Sequence, residues 1–144
     1  MIRTAEPKDA WGVWEAIVQA LGYTCEQATV ERRITALSGD PHCISLVYED
    51  DVSGQVVGFV HALRYDTLHS EGGWDVVSLA VVPAWQSRGI GRKLLEALEE
   101  RVLAGGGSYV RLNSRVERTE AHGFYEHLGY MCDKTQKRFI KRLA

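Results

Sequence analysis

The stretch "WDVVSLAVVP" limits what this chain can fold into more than any other feature. It is a long, largely apolar run that follows the polar loop "DTLHSEGG" and ends at Pro83. Such a run is typical of a central strand that is covered on both faces. The sequences "QSRGIGRK" and "LLEALEERVL" come next, so the strand leads through a short turn into a helix. This strand–turn–helix unit predicts an α/β architecture.

The helix after the turn has the clearest amphipathic pattern in the chain. Residues 90–104 place their apolar side chains on one helical face, while most of the charged side chains fall elsewhere. The apolar positions are Ile90, Leu94, Leu95, Leu98 and Val102. "AGGGS" ends this helix. The pattern predicts a helix whose apolar face packs on the sheet.

The elements before the long strand form two helices and three strands. Residues 2–4 favour a short strand, Asp9 is positioned to cap a first helix that ends at Gly22, and residues 27–37 predict a second helix. "CISLVYE" and "QVVGFVHAL" read as strands. The turn "DDVSG" joins them, so they are expected to be antiparallel neighbours.

The elements after residue 104 continue the α/β alternation. "YVRLN" predicts a strand, "EAHGFYEHL" a short helix that breaks at Gly129, and "YMCDKTQKRFIKRL" one or two further strands. The element order predicts an α/β (α+β) fold with a mixed sheet. The length of 144 residues fits one domain over residues 1–144.

Charge and composition exclude several classes of protein. A net charge of −2 disfavours a nucleic-acid binder. No run of about eighteen apolar residues predicts a membrane span, and the N-terminus has no signal-peptide core. The chain has three cysteines, no CxxC motif and no Cys/His zinc spacing. We therefore expect a cytoplasmic protein without a metal site, a nucleic-acid partner or a membrane partner.

The turn at residues 86–91 has the form of a phosphate-binding loop. Glycines let phosphate groups approach the backbone, and the N-terminus of the following helix favours negative charge. A Walker A loop is excluded because GxxxxGK[ST] is absent, and the dinucleotide pattern GxGxxG fails because its third glycine position holds Leu94. The pattern Q/R-x-x-G-x-G/A fits "QSRGIG". A tight turn without a ligand is the alternative for the hexapeptide alone.

The combination of two segments resembles the GNAT superfamily of N-acetyltransferases. "SLAVVPAWQSRGIGRKLLEALEE" is similar to the family's central strand, pyrophosphate loop and helix, and "EAHGFYEHLGY" is similar to its second signature. The resemblance covers essentially the whole chain. It implies a mixed, mostly antiparallel central sheet of six to seven strands flanked by about four helices.

The resemblance also implies acetyl-CoA as the acetyl donor, and it assigns residues to the cofactor. The loop would hold the diphosphate through Gln86, Ser87, Arg88, Gly89, Ile90, Gly91 and Arg92. The pantetheine arm would run beside the central strand, with a backbone N–H of Leu79, Ala80 or Val81 as the oxyanion donor. Asn113 and Phe124 are further candidates for contact with this arm, and a cap or turn role is the alternative for Asn113.

Acetyl transfer to an amine needs a proton for the departing thiolate and a neutral nucleophile. The resemblance places the hydroxyl of Tyr125 near the thioester sulfur, so Tyr125 is the candidate general acid. Asp75 is the candidate base; by period two its side chain would share a face with Val77, Leu79 and Val81. Glu71, His61 and a water chain without a dedicated base are the alternatives.

The resemblance implies that the acceptor enters near residues 22–30 and 64–73, which supply Tyr23, Tyr65 and Glu71. This setting fits a primary amine on a small molecule or peptide. Arg118 stands where the family often has Asn, so the usual coenzyme contact is not expected there. The amphipathic "KRFIKRL" is a strand candidate that could pair with a second chain, as edge strands do, and the resemblance implies a homodimer. The alternative function is a catalytically silent acetyl-CoA or CoA sensor.

Overall fold

The computed structural model describes residues 1–144. The chain forms two compact units, Met1–Leu112 and Asn113–Ala144. No helix in either unit combines the length and the apolar character that crossing a bilayer requires.

The first unit is built on a five-stranded sheet whose strands lie in chain order. The strands are β1 (Ile2–Thr4), β2 (Cys43–Glu49), β3 (Val56–Tyr65), β4 (Gly73–Val81) and β5 (Tyr109–Leu112). The first four strands pair antiparallel with their neighbours, and β5 runs parallel to β4. The sheet is therefore mixed and mostly antiparallel, as the resemblance implies.

Three helices belong to the first unit. They are α1 (Ala10–Ala16), which continues as a π-helical turn over Ile17–Leu21, α2 (Gln27–Leu37) and α3 (Ile90–Ala104). The predicted bounds of α2 and α3 are confirmed. Gly22 ends the first helix with a φ of 72°, a left-handed conformation that glycine adopts without steric cost.

The apolar face of α3 forms the core against the sheet. Leu94, Leu95 and Leu98 are 0% exposed, and Leu46 and Val60 of the sheet are at most 1% exposed. Burial of a leucine side chain contributes about 2 kcal/mol. A Cβ on Gly58 would lie 3.4 Å from Ile90 Cγ2, so the side of β3 that carries residue 58 faces α3.

A β-bulge interrupts β4 next to its centre. His61 pairs with Ser78, but the next residue, Ala62, pairs with Val76, so Val77 is an extra residue with no partner in β3. The bulge shifts the alternation of side chains along β4 by one residue. Before Val77 the odd-numbered side chains point away from α3, and after Val77 the even-numbered ones do.

Asp9 stands at the N-cap position of α1, as predicted, but its side chain does not bond to the helix. Both Asp9 oxygens accept hydrogen bonds of 2.8 Å from the two Nη atoms of Arg3, and Oδ2 also accepts one from the backbone N–H of Glu6. Arg3 also reaches Glu49 at 3.1 Å. This ion-pair network ties β1 and β2 to the start of α1.

The second unit holds α4 (Thr119–His127), and Gly129, with a φ of 94°, follows its end as predicted. The strands predicted over residues 130–143 do not form, so the sheet has five strands rather than six to seven. A strand needs a partner for its backbone groups, and residues 131–144 make no backbone–backbone hydrogen bond. Adjacent Phe139 and Ile140 would also point to opposite faces, which weakens the one-sided pattern that specifies a strand.

Candidate active site

The loop between β4 and α3 uses backbone conformations that favour glycine. Gly89 is the N-cap of α3 with a φ of 80°, and Ser87 has a φ of 64°. A residue with a Cβ is strained at such angles, whereas glycine is not. The second and fourth residues of "QSRG" therefore turn the chain from the strand into the helix over a very short distance.

The backbone N–H groups from Ser87 to Arg92 have no acceptor in the chain. The first helical hydrogen bond runs from the N–H of Lys93 to the carbonyl oxygen of Gly89, at 3.0 Å. No side chain caps the helix. Free N–H groups and the helix dipole together favour an anion here, so the residues present fit a diphosphate.

The three cations of the loop are not equivalent. Arg88 lies 4.6 Å above the Trp85 ring and donates to the carbonyl oxygen of Ala84 at 3.4 Å. Arg92 pairs with Glu96 at 2.7 Å. Lys93 is exposed and forms no ion pair, so it is the cation most available to a phosphate.

Two of the predicted loop residues have a structural role. The Gln86 side chain donates from Nε2 to the carbonyl oxygen of Val81 at 2.9 Å, which fastens the loop to the end of β4. The Ile90 side chain is buried in the core beside Gly58, so only its backbone N–H faces the loop.

The second half of β4 offers free backbone groups along one edge. The register of β4 with β5 ends at Val76, so no strand of the first unit pairs with that edge from Val77 onward. The N–H of Val82 bonds to Val57 at 2.9 Å, and antiparallel bonding alternates, so the N–H of Ala80 points toward β3. Of the three predicted donors, Leu79 and Val81 direct their N–H groups to the unpaired edge, whereas the N–H of Ala80 is used in the ladder.

Asp75 does not share a face with Leu79 and Val81, as period two predicted, because the bulge at Val77 intervenes. Asp75 lies opposite Leu63 and Ser78 opposite His61, and both positions are on the side of the sheet away from α3. Leu79 and Val81 face α3. The carboxylate therefore lies on the same side of the sheet as His61, away from α3.

The Asp75 carboxylate is paired but incompletely satisfied. Its Oδ1 lies 3.2 Å from Arg111 Nε without the alignment of a hydrogen bond, and this oxygen is buried with no donor. Burial raises the pKa of Asp75, and the Arg111 charge only partly offsets that effect. Sequence reasoning missed Arg111 because the β4–β5 register, which brings it opposite Asp75, has no local signal.

His61, one of the alternative bases, is held by its neighbour on β2. Its Nδ1 lies 2.7 Å from Ser45 Oγ and 3.6 Å from Cys43 Sγ. Burial lowers the pKa of His61, and the charge of Arg33 on α2 lowers it further. The imidazole is therefore neutral at pH 7, with Nε2 free of any hydrogen bond in the chain.

Of the residues predicted to contact the acceptor, two have exposed side chains and one has a covered ring face. Tyr23 is 57% exposed, and Glu71 is exposed in the loop before β4. The Tyr65 ring, in contrast, is covered by the Arg111 guanidinium at 4.3 Å. Tyr65 therefore does not offer that ring face to a cationic substrate. Arg111 also adds positive charge beside residues 64–73, where the acceptor was expected.

The predicted residues of the second unit form an aromatic cluster on and after α4. Tyr125 packs edge-on against Phe124 at 5.3 Å between ring centroids and against Tyr130 at 6.0 Å. Burial raises the pKa of Tyr125, against a smaller opposing effect of Arg118. The phenol is therefore protonated throughout the neutral range, as a proton donor must be.

Asn113 is exposed and directly follows β5. The next residue, Ser114, has a buried Oγ with no hydrogen-bond partner, a feature that sequence reasoning missed. Arg118 is the N-cap residue of α4 and makes no side-chain cap. No group of three or more His, Cys, Asp or Glu side chains is arranged to hold a metal ion.

Solved structures similar to this chain are acetyltransferases. AAC(6')-Iy, in complex with the bisubstrate analogue CoA-S-monomethyl-acetylneamine, is 18% identical with a TM-score of 0.83, over 99% of this chain and 97% of that one. Glucosamine-6-phosphate N-acetyltransferase from Arabidopsis thaliana is 21% identical with a TM-score of 0.81, over 97% of both chains. Ribosomal-protein-alanine N-acetyltransferase from Brucella melitensis biovar Abortus 2308 is 18% identical with a TM-score of 0.77, over 98% of this chain and 99% of that one. At these identities the likeness establishes the fold.

The family follows from a match over most of the sequence. Residues 10–130 match the model of the acetyltransferase (GNAT) family. That range includes the β4–loop–α3 unit and the α4 signature from which the resemblance was drawn. The chain therefore belongs to the GNAT acetyltransferase family, whose members are acyl-transferring enzymes.

Proposed function

We propose that this enzyme transfers the acetyl group of acetyl-CoA to a primary amine of a small molecule or peptide. The observation that carries the proposal is the row of unpaired N–H groups from Ser87 to Arg92 at the start of α3. This row adjoins the unpaired edge of β4, so an anion site and a strand edge lie side by side in the first unit. A diphosphate with an extended, amide-bearing arm has the chemistry to use both.

The residues of the chain are proposed either to bind acetyl-CoA or to transfer protons. When bound, acetyl-CoA supplies an acetyl group activated as a thioester. The loop from Gln86 to Arg92 holds the diphosphate, with Lys93 adding positive charge. The N–H groups of Leu79 and Val81 are hydrogen-bond donors for the arm and for the acyl oxygen. Asn113 and Phe124 are proposed as further contacts.

Tyr125 is the proposed general acid and Asp75 the proposed base. A raised pKa keeps Tyr125 protonated, so it retains a proton to give at neutral pH. A raised pKa also makes Asp75 a better proton acceptor than an ordinary aspartate. His61 is the alternative base, since it is neutral, is held by Ser45 and lies on the same side of the sheet.

The acceptor is proposed to approach Asp75 from the side of the sheet away from α3. Tyr23, exposed after the first helix, and Glu71, exposed in the loop before β4, are proposed to contact it. One of the solved relatives is in complex with an analogue that joins CoA to acetylneamine, and two others are named for N-acetylation of glucosamine-6-phosphate and of ribosomal-protein alanine. A primary amine is the group that these three names share.

Calorimetry and a turnover assay test the proposal together. We expect acetyl-CoA to bind the purified chain and a panel of primary amines to release free CoA thiol. Tyr125→Phe removes the proton donor and keeps the ring, so turnover should fall about a hundredfold while binding stays within a factor of about two. Absence of binding heat would refute the proposal. Tight binding with no acceptor among the amines would favour the sensor function instead.

A further inference from the structure

Arg111 of β5 is a charged group for which the proposed mechanism has no role. Its Nε lies 3.2 Å from Asp75 Oδ1 without the alignment of a hydrogen bond, and its guanidinium lies 4.3 Å from the centre of the Tyr65 ring. Stacking on a ring uses the flat face of a guanidinium and leaves the N–H groups at its edge free. Arg111 therefore keeps the N–H donors with which an arginine binds a carboxylate.

Asp75 keeps a free acceptor beside these donors. Its Oδ1 is buried and accepts no hydrogen bond. A buried carboxylate oxygen without a donor is unfavourable, and a ligand that donates to this oxygen removes that cost. The side chains of Asp75 and Arg111 are 23% and 30% exposed, so a small ligand can reach both from solvent.

The sheet register places the two charges side by side on one face. Asp75 is directly opposite Arg111 in the β4–β5 ladder, and both side chains point away from α3. On the same side, Arg33 of α2 is close enough to the His61 imidazole to lower its pKa. An acceptor that was only a cation would be attracted by Asp75 and repelled by both arginines. The charges on this side fit a ligand that carries both signs.

We propose that the acceptor is a free α-amino acid, whose ammonium group binds Asp75 and whose carboxylate binds Arg111. The two charged groups of such a ligand are attached to one carbon, which suits two side chains whose charged atoms lie 3.2 Å apart. The inference rests on the proposed acetyl transfer and narrows its acceptor. A peptide N-terminus has an amide where the amino acid has its carboxylate, so it lacks the group that Arg111 binds.

The transfer to such an acceptor balances without a further reactant. The nitrogen–carbon bond forms as the carbon–sulfur bond breaks, and the products are an N-acetylamino acid and free CoA. The ammonium group loses two protons in all. Asp75 takes one and passes it to water, and the other balances the proton that the departing thiolate gains. Arg111 takes no proton, and its role is to bind and orient the acceptor.

Paired acceptors test the assignment with the full chain and acetyl-CoA. The acceptors are a panel of L-α-amino acids and the matching α-carboxamides, and the release of CoA thiol is measured. We expect kcat/KM to be at least about tenfold higher for the best amino acid than for its carboxamide, which cannot form the charge-assisted pair with Arg111. The amine of the carboxamide is less basic and more often neutral, so without the pair the carboxamide would react faster.

Substitution of Arg111 tests which residue causes the preference. Arg111→Gln should raise KM for the amino acid at least about tenfold and abolish its advantage over the carboxamide. The ratio of kcat/KM for the two acceptors cancels any effect of the variant on Asp75 or on folding, because both acceptors meet the same protein. Arg111→Lys keeps the charge without the planar fork and should keep part of the preference. Arg101→Gln, at an exposed arginine of α3 that bonds to Thr4, is the control and should behave as wild type.

Calorimetry with CoA present separates this proposal from the acetyl-transfer function. If no amine is acetylated, but the amino acid binds at least about tenfold more tightly than its carboxamide and Arg111→Gln removes the difference, the acceptor site is supported and the transfer is refuted. The proposal is overturned if the carboxamide equals or exceeds the amino acid as substrate and as ligand. It is also overturned if no amino acid binds or reacts, or if Arg111→Gln keeps the full preference.

Discussion

Asp75 and His61 lie on adjacent strands and face the same side of the sheet, but their environments move their pKa values toward each other. Burial raises the pKa of Asp75 from 3.8 and lowers that of His61 from 6.5. The pH–rate limb of Asp75 would therefore lie above 3.8 and that of His61 below 6.5, and these two ranges overlap. The position of that limb cannot identify the base, so substitution has to.

We expect Asp75→Asn to lower kcat about a hundredfold and to remove the limb, while His61→Gln keeps it. If the limb disappears in His61→Gln and persists in Asp75→Asn, His61 is the base. Asp51→Asn, at an exposed carboxylate, is the control and should behave as wild type. Steady-state rates from pH 4 to 9 provide the measurement.

Asp75→Asn should lower activity, but it should not lower the stability of the fold. The folded pKa of Asp75 is above the unfolded value, so the native state binds this proton more tightly and ionisation costs stability as pH rises above 3.8. Asn carries no such cost. Thermal melts at pH 7 should therefore show a Tm for Asp75→Asn that equals or exceeds the wild-type Tm. A clear fall in Tm would mean that the pair with Arg111 is a net stabilising contact.

At the scale of elements, the β4–loop–α3 unit was predictable and the details around it were not. Both bounds of helix α3 were predicted correctly, because the helical spacing of its apolar residues and the glycines that flank it mark the same start and end. The bulge was missed because one extra residue, Val77, leaves no mark on an apolar run. The terminal strands were wrongly predicted because a strand pattern does not supply a partner.

The loop itself can be tested with a pair of glycines at the two ends of α3. Gly89 and Gly106 have φ values of 80° and 85°, and neither would place a Cβ within 4 Å of another group. Alanine at either position costs about 1 kcal/mol of backbone strain. We expect Gly89→Ala to weaken acetyl-CoA binding about fivefold to tenfold by calorimetry, and Gly106→Ala to leave it unchanged. Equal losses in both variants would show that the effect is one of stability.

At the scale of the whole molecule, the ion pairs that Arg3 of β1 makes with Asp9 and with Glu49 of β2 join these two strands to the start of α1. Asp9 is 4% exposed and is the only buried charged residue of the chain. Burial by itself raises the pKa of Asp9, but hydrogen bonds from Arg3 and from the Glu6 backbone outweigh it, and the net effect lowers the pKa. Removal of Asp9 takes two short hydrogen bonds from Arg3, which keeps its longer contacts to Glu49 at 3.1 Å and to Glu6 at 3.5 Å, and each lost bond between charged groups contributes about 1.5 kcal/mol.

Asp9→Ala should therefore lower the free energy of unfolding by about 3 kcal/mol in urea denaturation at pH 7. Because the folded pKa is below 3.8, this contribution is present above that pH and is lost as pH falls through the folded value. The wild type and Asp9→Ala should thus converge in stability in strong acid. Glu6→Ala, at a carboxylate that is 56% exposed, is the control and should cost less than about 1 kcal/mol.

The extra residue at Val77 divides β4 into two halves that are out of phase by one side chain. The half before Val77 points its odd-numbered side chains away from α3, and the half after it points its even-numbered side chains away from α3. Deletion of this single valine would leave Ser78 opposite His61 and Val76 opposite Ala62, so Asp75 would stay on the side of the sheet away from α3. A regular ladder that kept Val77 would instead bring Asp75 opposite Arg64 and turn its carboxylate toward α3. The bulge thus decides which face carries this carboxylate, and a related sequence without the extra residue must be aligned across the strand with one gap.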